Sequence, residues 1–347
     1  MKQTSAIVLA AGLGKRMNSE LPKPLHPICG RAMITHVLDA LIPLGLEKVV
    51  VVVGHGARLV IEEVSSFFDG RLKLEFVEQH TPLGTGDAVK VALTCFSDAY
   101  ESNARDSDIL ILPGDAPLIL TETLSELIRV HQEHSSVATL LSVFMGDPTG
   151  YGRILRDKHG NVSRIVEEKD ADPEEKLLNE VGTSVYVFRQ SALTPALRIL
   201  SPKNAQNEYY LTDVIEVLRN VGYEIKAVTA ADESEVAGVN DRAQLALAES
   251  ELRRRINALH MANGVTMADP GHVYIDKMVE IEKDVTLLPG VILQGTTYVA
   301  SGSVLGPFVR LQNCRVGSGS RIEFASLCDM KLEDDTVISL APERHIR

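Results

Sequence analysis

Short, nearly continuous apolar runs alternate with amphipathic stretches over residues 1–230. The runs predict strands at Ala6–Ala10, Val49–Val53, Leu74–Val77, Ile109–Leu112, Ala138–Val143 and Val185–Phe188. The amphipathic stretches predict helices that include Met33–Leu44, Asp87–Leu93 and Thr123–His131. Strands without polar alternation are buried on both faces, so the pattern predicts an α/β domain with a mostly parallel sheet. In such folds, ligands bind beyond the carboxyl ends of the strands.

A different periodicity follows Asn240. Residues 241–264 predict one charged connector helix. Apolar side chains then recur every six residues, at Ile275, Ile281, Leu287, Leu293, Val299, Leu305 and Leu311. A second series lies four residues after each of these, at Val279, Val285, Val291, Thr297, Ser303, Val309 and Arg315. Neither a helix nor a strand has a six-residue period, so the repeat favours a short parallel β-helix over irregular hairpins.

The β-helix repeat changes phase near its end. A five-residue step leads to Val316, and Ile322 follows it. The predicted domains are therefore residues 1–240, a connector at 241–264, and the β-helix with its C-terminal tail at 265–347. A short solenoid exposes its ends, and self-association would stabilise it.

Composition narrows the possible functions. The chain has 347 residues, and 35 Lys and Arg against 47 Asp and Glu give a net charge of −12. This excess of acid argues against general binding to nucleic acid or to anionic membranes. No apolar stretch approaches the roughly 20 residues of a membrane span, and the four cysteines form no CxxC pair. We expect a cytoplasmic protein with reduced thiols and no zinc site.

A glycine-rich loop follows the first predicted strand. It runs from Leu9 to Met17 and is followed by Pro22-Lys23. No GxxxxGK[ST] motif occurs, and a dinucleotide fingerprint would need glycine in place of Met17. The pattern L-x-x-G-x-G-x-R-M with a later P-K is instead typical of nucleotidyltransferases. Glycines let backbone N–H groups approach a triphosphate, and Arg16 and Lys23 supply positive charge.

An acidic residue follows the strand Ile109–Leu112. Asp115, in Gly114-Asp115, lies where a carboxylate could hold Mg²⁺ with few protein ligands, although an Asp that only caps a turn is equally common. Asn240 reads as the N-cap of the connector helix.

Eight ordered segments make the chain recognisable. They begin at Pro22-Lys23, Val53-Gly54-His55-Gly56, Leu83-Gly84-Thr85-Gly86, Pro113-Gly114-Asp115, Asp147-Pro148, Ile165-Val166-Glu167, Asn207-Glu208 and Gly238-Val239-Asn240. In this order the chain resembles the uridyltransferase half of the bifunctional bacterial N-acetylglucosamine-1-phosphate uridyltransferase/glucosamine-1-phosphate acetyltransferase family, over residues 5–250. The resemblance implies a Rossmann-like nucleotidyltransferase domain, a short left-handed β-helix, and a role in cell-wall precursor synthesis.

The resemblance also implies a reaction and its residues. UMP would pass from UTP to N-acetyl-α-D-glucosamine 1-phosphate with Mg²⁺, giving UDP-N-acetylglucosamine and pyrophosphate. The implied catalytic residues are Arg16, Lys23 and Asp115, and the implied metal ligands are Asp115 and Asn240. The implied nucleotide-binding residues are Leu9, Ala10, Ala11, Gly12, Lys23, Gln79, Gly84, Thr85, Pro113, Gly114 and Asp115. The implied sugar-binding residues are Gly152, Glu167, Gly182, Tyr210, Thr212 and Asn240.

Two departures from the family pattern keep alternatives open. Pro82 stands where the family often has a second Gln, and Gly182 stands where an Asn usually contacts the sugar. A glucose-1-phosphate uridylyl- or thymidylyltransferase is therefore an alternative, and a non-enzymatic regulatory subunit that binds sugar nucleotides is another. The family's acetyltransferase site depends on later coils and a histidine that we do not find, so we expect no acetyltransferase activity. The β-helix would form a homotrimer, as it does in the relatives.

Overall fold

The structure is a computed structural model that describes residues 3–96 and 106–339. By its internal contacts the chain divides into two compact units. The first comprises the described residues of Met1–His26 and Met33–Gln244, and the second those of Pro27–Ala32 and Leu245–Arg347. The sequence-based domain limits remain a prediction, and residues 340–347 of the predicted tail lie outside the described part of the chain.

Helices and strands alternate through the first unit, and short strands dominate the second. The helices are α1 (Met33–Leu41), α2 (Ala57–Phe68), α3 (Thr85–Ala92), α4 (Thr121–Glu133), α5 (Gln190–Arg198), α6 (Asp213–Asn220) and α7 (Arg242–Ala262). The strands as far as α7 are β1 (Thr4–Ala10), β2 (Pro27–Ile28), β3 (Arg31–Ala32), β4 (Val49–Val53), β5 (Leu74–Glu78), β6 (Asp108–Pro113), β7 (Ala138–Phe144), β8 (Arg153–Arg156), β9 (Val162–Val166), β10 (Glu180–Arg189) and β11 (Lys226–Thr229). The later strands are β12 (Thr266–Met267), β13 (Val273–Ile275), β14 (Glu280–Ile281), β15 (Thr286–Leu287), β16 (Val291–Gln294), β17 (Tyr298–Val299), β18 (Val304–Leu305), β19 (Arg310–Gln312), β20 (Arg315–Val316), β21 (Arg321–Glu323), β22 (Ser326–Cys328), β23 (Lys331–Leu332) and β24 (Val337–Ser339).

The first unit is built on one mostly parallel sheet, as predicted. Its strand order is β11-β7-β10-β6-β1-β4-β5, with β8 and β9 attached beside β10. All five valines of β4 are buried, which explains the uninterrupted apolar run. Only β10 runs antiparallel to its neighbours in the main order, and its register shifts between Gly182 and Tyr186. The carboxyl ends of β1, β4, β5 and β6 therefore lie along one edge.

The repeat in the second unit forms the predicted parallel β-helix. Its strands make three parallel sheets, in the orders β12-β15-β18-β21-β24, β13-β16-β19-β22 and β14-β17-β20-β23. Leu287, Leu305 and Ile322 stack at successive inward positions of the first sheet. The phase change alters one detail, because Cys314 is buried where the six-residue repeat would place Arg315, which is exposed.

A hairpin from early in the chain completes the second unit. The pair β2–β3 belongs to it, although its residues fall between two parts of the first unit. The Cys29 N–H donates to Glu249 Oε2 at 2.7 Å, and the Lys277 N–H donates to the Cys29 carbonyl at 2.9 Å. Gly30 has a φ of +79°, and Asp276 fills the space that a Cβ would need. The hairpin is therefore fixed by both backbone and side-chain contacts.

Candidate active site

A cavity of about 570 Å³ opens at the strand ends of the first unit. Ala11, Gly54 and Gln79 line it, and each directly follows a strand of the central sheet. Of the predicted nucleotide-binding residues, Ala11 and Gln79 line this cavity, and Pro82 lies beside them. Four other polar or charged residues line the cavity and were not predicted as site residues, namely His55, Arg58, Glu78 and His80. Their positions just after β4 and within or after β5 are the signal that could have identified them.

Three of the predicted residues form one cluster, in which two oxygen atoms meet the Lys23 ammonium. Lys23 begins a short 3₁₀ turn after Pro22, and its side chain is only 11% exposed. Its Nζ forms an ion pair with Asp115 Oδ2 and donates to Asn240 Oδ1 at 2.8 Å. The Val239 N–H donates to the Asp115 carbonyl at 2.9 Å, which ties the two oxygen-bearing segments together. The fold therefore gathers residues that lie far apart in the sequence.

The same oxygen atoms fit a divalent cation. Asp115 Oδ2 and Asn240 Oδ1 both point at the position of the Lys23 ammonium, so a positive charge is already stabilised there. Carboxylate and amide oxygens are the ligands that Mg²⁺ prefers, and Mg²⁺ commonly takes few ligands from the protein. Among the described residues, no group of three His, Cys, Asp or Glu could hold a metal. The two-residue set matches a metal that completes its coordination with substrate phosphates and water.

The glycine loop and the end of β6 lie side by side. Leu9 pairs with Pro113, and the Gly114 N–H donates to the Leu9 carbonyl at 2.8 Å. A Cβ at Gly114 would lie 3.2 Å from Ala10 Cβ, which is closer than most packing contacts. Glycine at this position thus permits the close approach of the two segments without a shift of Ala10.

Gly12 and Arg16 have more open surroundings. A Cβ at Gly12 would meet nothing within 4 Å, so the fold itself does not require glycine there. Arg16 lies in the 3₁₀ turn Lys15–Met17, and its side chain is exposed. In the described part of the chain it makes no ion pair, and the structure does not place it in the cluster of Lys23, Asp115 and Asn240.

The predicted nucleotide-binding residues Gln79, Gly84 and Thr85 lie in a loop that is held by neighbouring backbone. Gly84 has a φ of +109° just before α3, and its carbonyl accepts from Gln79 Nε2 at 3.2 Å. Thr85 Oγ1 accepts from the Leu211 N–H at 3.0 Å, so this side chain also anchors the segment that carries the predicted sugar-binding residues Tyr210 and Thr212. The Tyr209 backbone bonds to both sides of Gly84, through Leu83 and Gly86. These bonds fix the position of the loop.

The predicted sugar-binding residues form a second group. Thr212 Oγ1 donates to Glu167 Oε1 at 3.0 Å, and the Gly182 N–H donates to the Gly152 carbonyl at 2.9 Å. Tyr210 is buried beside them. Burial raises the pKa of Glu167, and burial together with the Glu167 charge raises the pKa of Asp213 to about 6. The Glu167 carboxyl group can accept from further donors, such as the hydroxyl groups of a polyhydroxylated ligand.

One buried arginine, Arg153, was not predicted as a site residue. Arg153 is only 2% exposed, and its Nη2 pairs with Glu168 Oε2 at 2.8 Å. Its Nη1 also donates to the Tyr151 carbonyl. The guanidinium therefore joins the segments that carry Gly152 and Glu167. A sequence shows an arginine but not its burial, so this linking role had no local signal.

Comparison with known proteins identifies the family. The family model described as Nucleotidyl transferase matches residues 5–235. A protein named Bifunctional protein GlmU from Thermoanaerobacter pseudethanolicus is 43% identical over 347 residues, which are 100% of this chain and 72% of that protein. Proteins with the same name from Geobacillus sp. and Listeria monocytogenes are each 40% identical over the whole chain and 72% and 73% of their own lengths.

The chain belongs to the GlmU family of nucleotidyltransferases. The resemblance drawn from eight ordered segments is confirmed, and so is the expectation of an enzyme. The GlmU-family relatives match both units of the chain, because the similarity runs through the β-helix as well. In the described residues, no helix is long and apolar enough to cross a membrane.

Proposed function

We propose that this GlmU-family enzyme transfers UMP from UTP to N-acetyl-α-D-glucosamine 1-phosphate, releasing pyrophosphate. The observation that carries this proposal is the convergence of Lys23, Asp115 and Asn240 beside the glycine loop, in a chain related over its whole length to GlmU proteins. The cavity beyond β1, β4 and β5 would hold the nucleotide. The group around Glu167 and Thr212 would hold the sugar.

The proposed chemistry needs charge stabilisation more than proton transfer. The sugar phosphate oxygen that attacks the α-phosphorus is already anionic, so no general base is required. Lys23 would neutralise charge on the phosphates, and Arg16 would reach them from the exposed turn. Asp115 and Asn240 would hold Mg²⁺, which supplies further neutralisation of the phosphates when bound. The backbone of the glycine loop would bind the triphosphate, with Gly12 leaving room for it.

A substrate matrix tests this function. N-acetylglucosamine 1-phosphate, glucosamine 1-phosphate and glucose 1-phosphate are each combined with UTP, dTTP or ATP and Mg²⁺, and pyrophosphate release is measured. The proposal expects the highest kcat/KM for N-acetylglucosamine 1-phosphate with UTP. A higher value for glucose 1-phosphate would favour the alternative uridylyl- or thymidylyltransferase, which gains support from Pro82 in the cavity wall and the missing side chain at Gly182.

Replacing Gly12 with alanine should weaken nucleotide binding without affecting stability. A Cβ at this position touches no protein atom within 4 Å, but it would stand between the loop backbone and the triphosphate. We expect the KM for UTP to rise about tenfold, since one or two backbone bonds would be lost. Steady-state kinetics and thermal melts measure both effects. Gly146→Ala is the matched control, because Gly146 is equally open and lies outside the proposed site. An unchanged KM for UTP in Gly12→Ala would contradict the proposed approach of the triphosphate to the loop backbone.

The β-helix would join three copies of the chain. Phe308 and Phe324 are exposed on its surface with ring centroids 6.0 Å apart. Both have positive φ, at 54° and 48°, which bulky side chains rarely adopt. Exposed, strained aromatic residues suit burial in an interface. Light scattering should give the mass of a trimer, and a monomer mass at micromolar concentration would refute this assembly.

The lack of acetyltransferase activity and the cytoplasmic location also stay predictions.

A further inference from the structure

We propose that Asp87 sets the base selectivity of the enzyme by fixing the orientation of the Gln79 amide. The inference rests on the proposed function, because it treats the cavity beside Gln79 as the site of the nucleotide base. Asp87 lies in the first turn of α3, and no motif in the sequence marked it. It acts through Gln79, so it is a positioning residue.

Two acceptors hold one end of the Gln79 side chain. Gln79 Nε2 donates to Asp87 Oδ2 at 2.8 Å and to the Gly84 carbonyl at 3.2 Å. Both partners can only accept, so only the NH₂ end of the amide can face them. The orientation is thus determined by chemistry. Gln79 itself is buried, with 8% of its surface exposed.

The other end of the amide remains available. Within residues 3–96 and 106–339, no donor bonds to Gln79 Oε1, yet this atom is not among the buried side-chain atoms that lack a partner. It therefore keeps access to solvent, and Gln79 is part of the cavity wall. A side-chain amide can both donate and accept, but with its NH₂ group occupied the Gln79 amide can only accept from a ligand.

A fixed acceptor distinguishes between pyrimidines. Uracil and thymine carry N3–H, which can donate to Gln79 Oε1, whereas cytosine has a lone pair at N3 that would face it. A free amide could rotate and donate to cytosine, but this rotation would turn Oε1 towards Asp87 and the Gly84 carbonyl. The Gln79 oxygen would then face two other acceptor oxygens in a buried place, with no proton between them. Through Gln79, Asp87 thereby disfavours the binding of cytosine and permits the binding of both uracil and thymine.

Selectivity between UTP and CTP tests the inference. Binding of each nucleotide is measured by calorimetry with Mg²⁺ and no sugar phosphate, and kcat/KM is measured for each with N-acetylglucosamine 1-phosphate. Asp87→Ala should lower the UTP-to-CTP affinity ratio about tenfold or more, because the amide can then rotate. Asp87→Glu should keep the ratio within about twofold, since its carboxylate can still only accept from Gln79 Nε2.

Two further variants separate this role from effects on the fold. Asp87→Ser, whose hydroxyl is too short to reach Gln79, should repeat the loss if Asp87→Ala proves unstable. Lys90→Ala, on the exposed side of the same helix, should leave the ratio unchanged. An unchanged ratio in both Asp87→Ala and Asp87→Ser would overturn the inference, and so would an equal loss in Asp87→Glu. Nucleotide binding without turnover of any sugar phosphate would refute the proposed function, while the binding ratio would still test Asp87.

Discussion

Asp115→Ala is expected to lower kcat/KM by about 10³-fold or more. Among the residues that the structure describes, Asp115 is the only carboxylate that pairs with Lys23 Nζ, and its oxygen is half of the proposed metal-ligand pair. Its loss would remove the anchor of the cation that neutralises the phosphates and would leave Lys23 paired only with Asn240. Pyrophosphate release measured at saturating Mg²⁺ checks this result.

The control for Asp115 must separate chemistry from folding. Lys23 and Asp115 form a largely buried pair, and breaking such a pair costs stability. Asp115→Asn keeps an oxygen acceptor for Lys23, so it should stay folded by circular dichroism and still lose most activity. Asp69→Ala, an exposed residue at the end of α2, should retain the original rate. Near-normal turnover in folded Asp115→Asn and Asp115→Ala would refute the assignment.

Gly84→Ala should both destabilise the protein and impair nucleotide binding. At a φ of +109° an L side chain is strained, and its Cβ would lie 2.6 Å from the Tyr209 carbonyl oxygen. The backbone would have to shift where Tyr209 bonds to Leu83 and Gly86. We expect a loss of about 3 kcal/mol in the free energy of unfolding, which lowers Tm by roughly 6–12 °C. Thermal melts and UTP titration measure the two effects.

Gly146→Ala provides the comparison for Gly84. A Cβ there meets no atom within 4 Å, and its φ is not positive. Its Tm should therefore change by less than about 1 °C. If Gly84→Ala melted at the same temperature as Gly146→Ala, the tight loop conformation would not exist in solution.

Local pattern predicted the elements well where one physical cause dominates. Burial on both faces makes β4 entirely valine, and its bounds were predicted as Val49–Val53. The six-residue repeat likewise predicted the β-helix, because each coil must bury equivalent positions. The exception is Arg315. A shortened turn moved the inward position to Cys314, and periodicity alone does not show where a turn loses a residue.

Contacts between distant segments had weaker signals. Lys23 lies 92 residues from Asp115 and 217 from Asn240, and only the family resemblance suggested that they act together. Asp87 and Arg153 were missed because their importance depends on what they face. An acid in the first turn of a helix is ordinary, and a buried guanidinium is not visible in a sequence.

The hairpin of β2 and β3 bears on the order in which the chain folds during synthesis. Pro27–Ala32 leaves the ribosome early, but the rest of the second unit, which holds this hairpin, begins only at Leu245. Those six residues lie in the sequence between two segments of the first unit. They cannot pair with the rest of the second unit until more than two hundred further residues have been synthesised. The first unit can collapse around its sheet in the meantime. The second unit is formed by two separate segments of the sequence, so a fragment starting at Leu245 would lack the strand pair that binds Glu249 and Lys277.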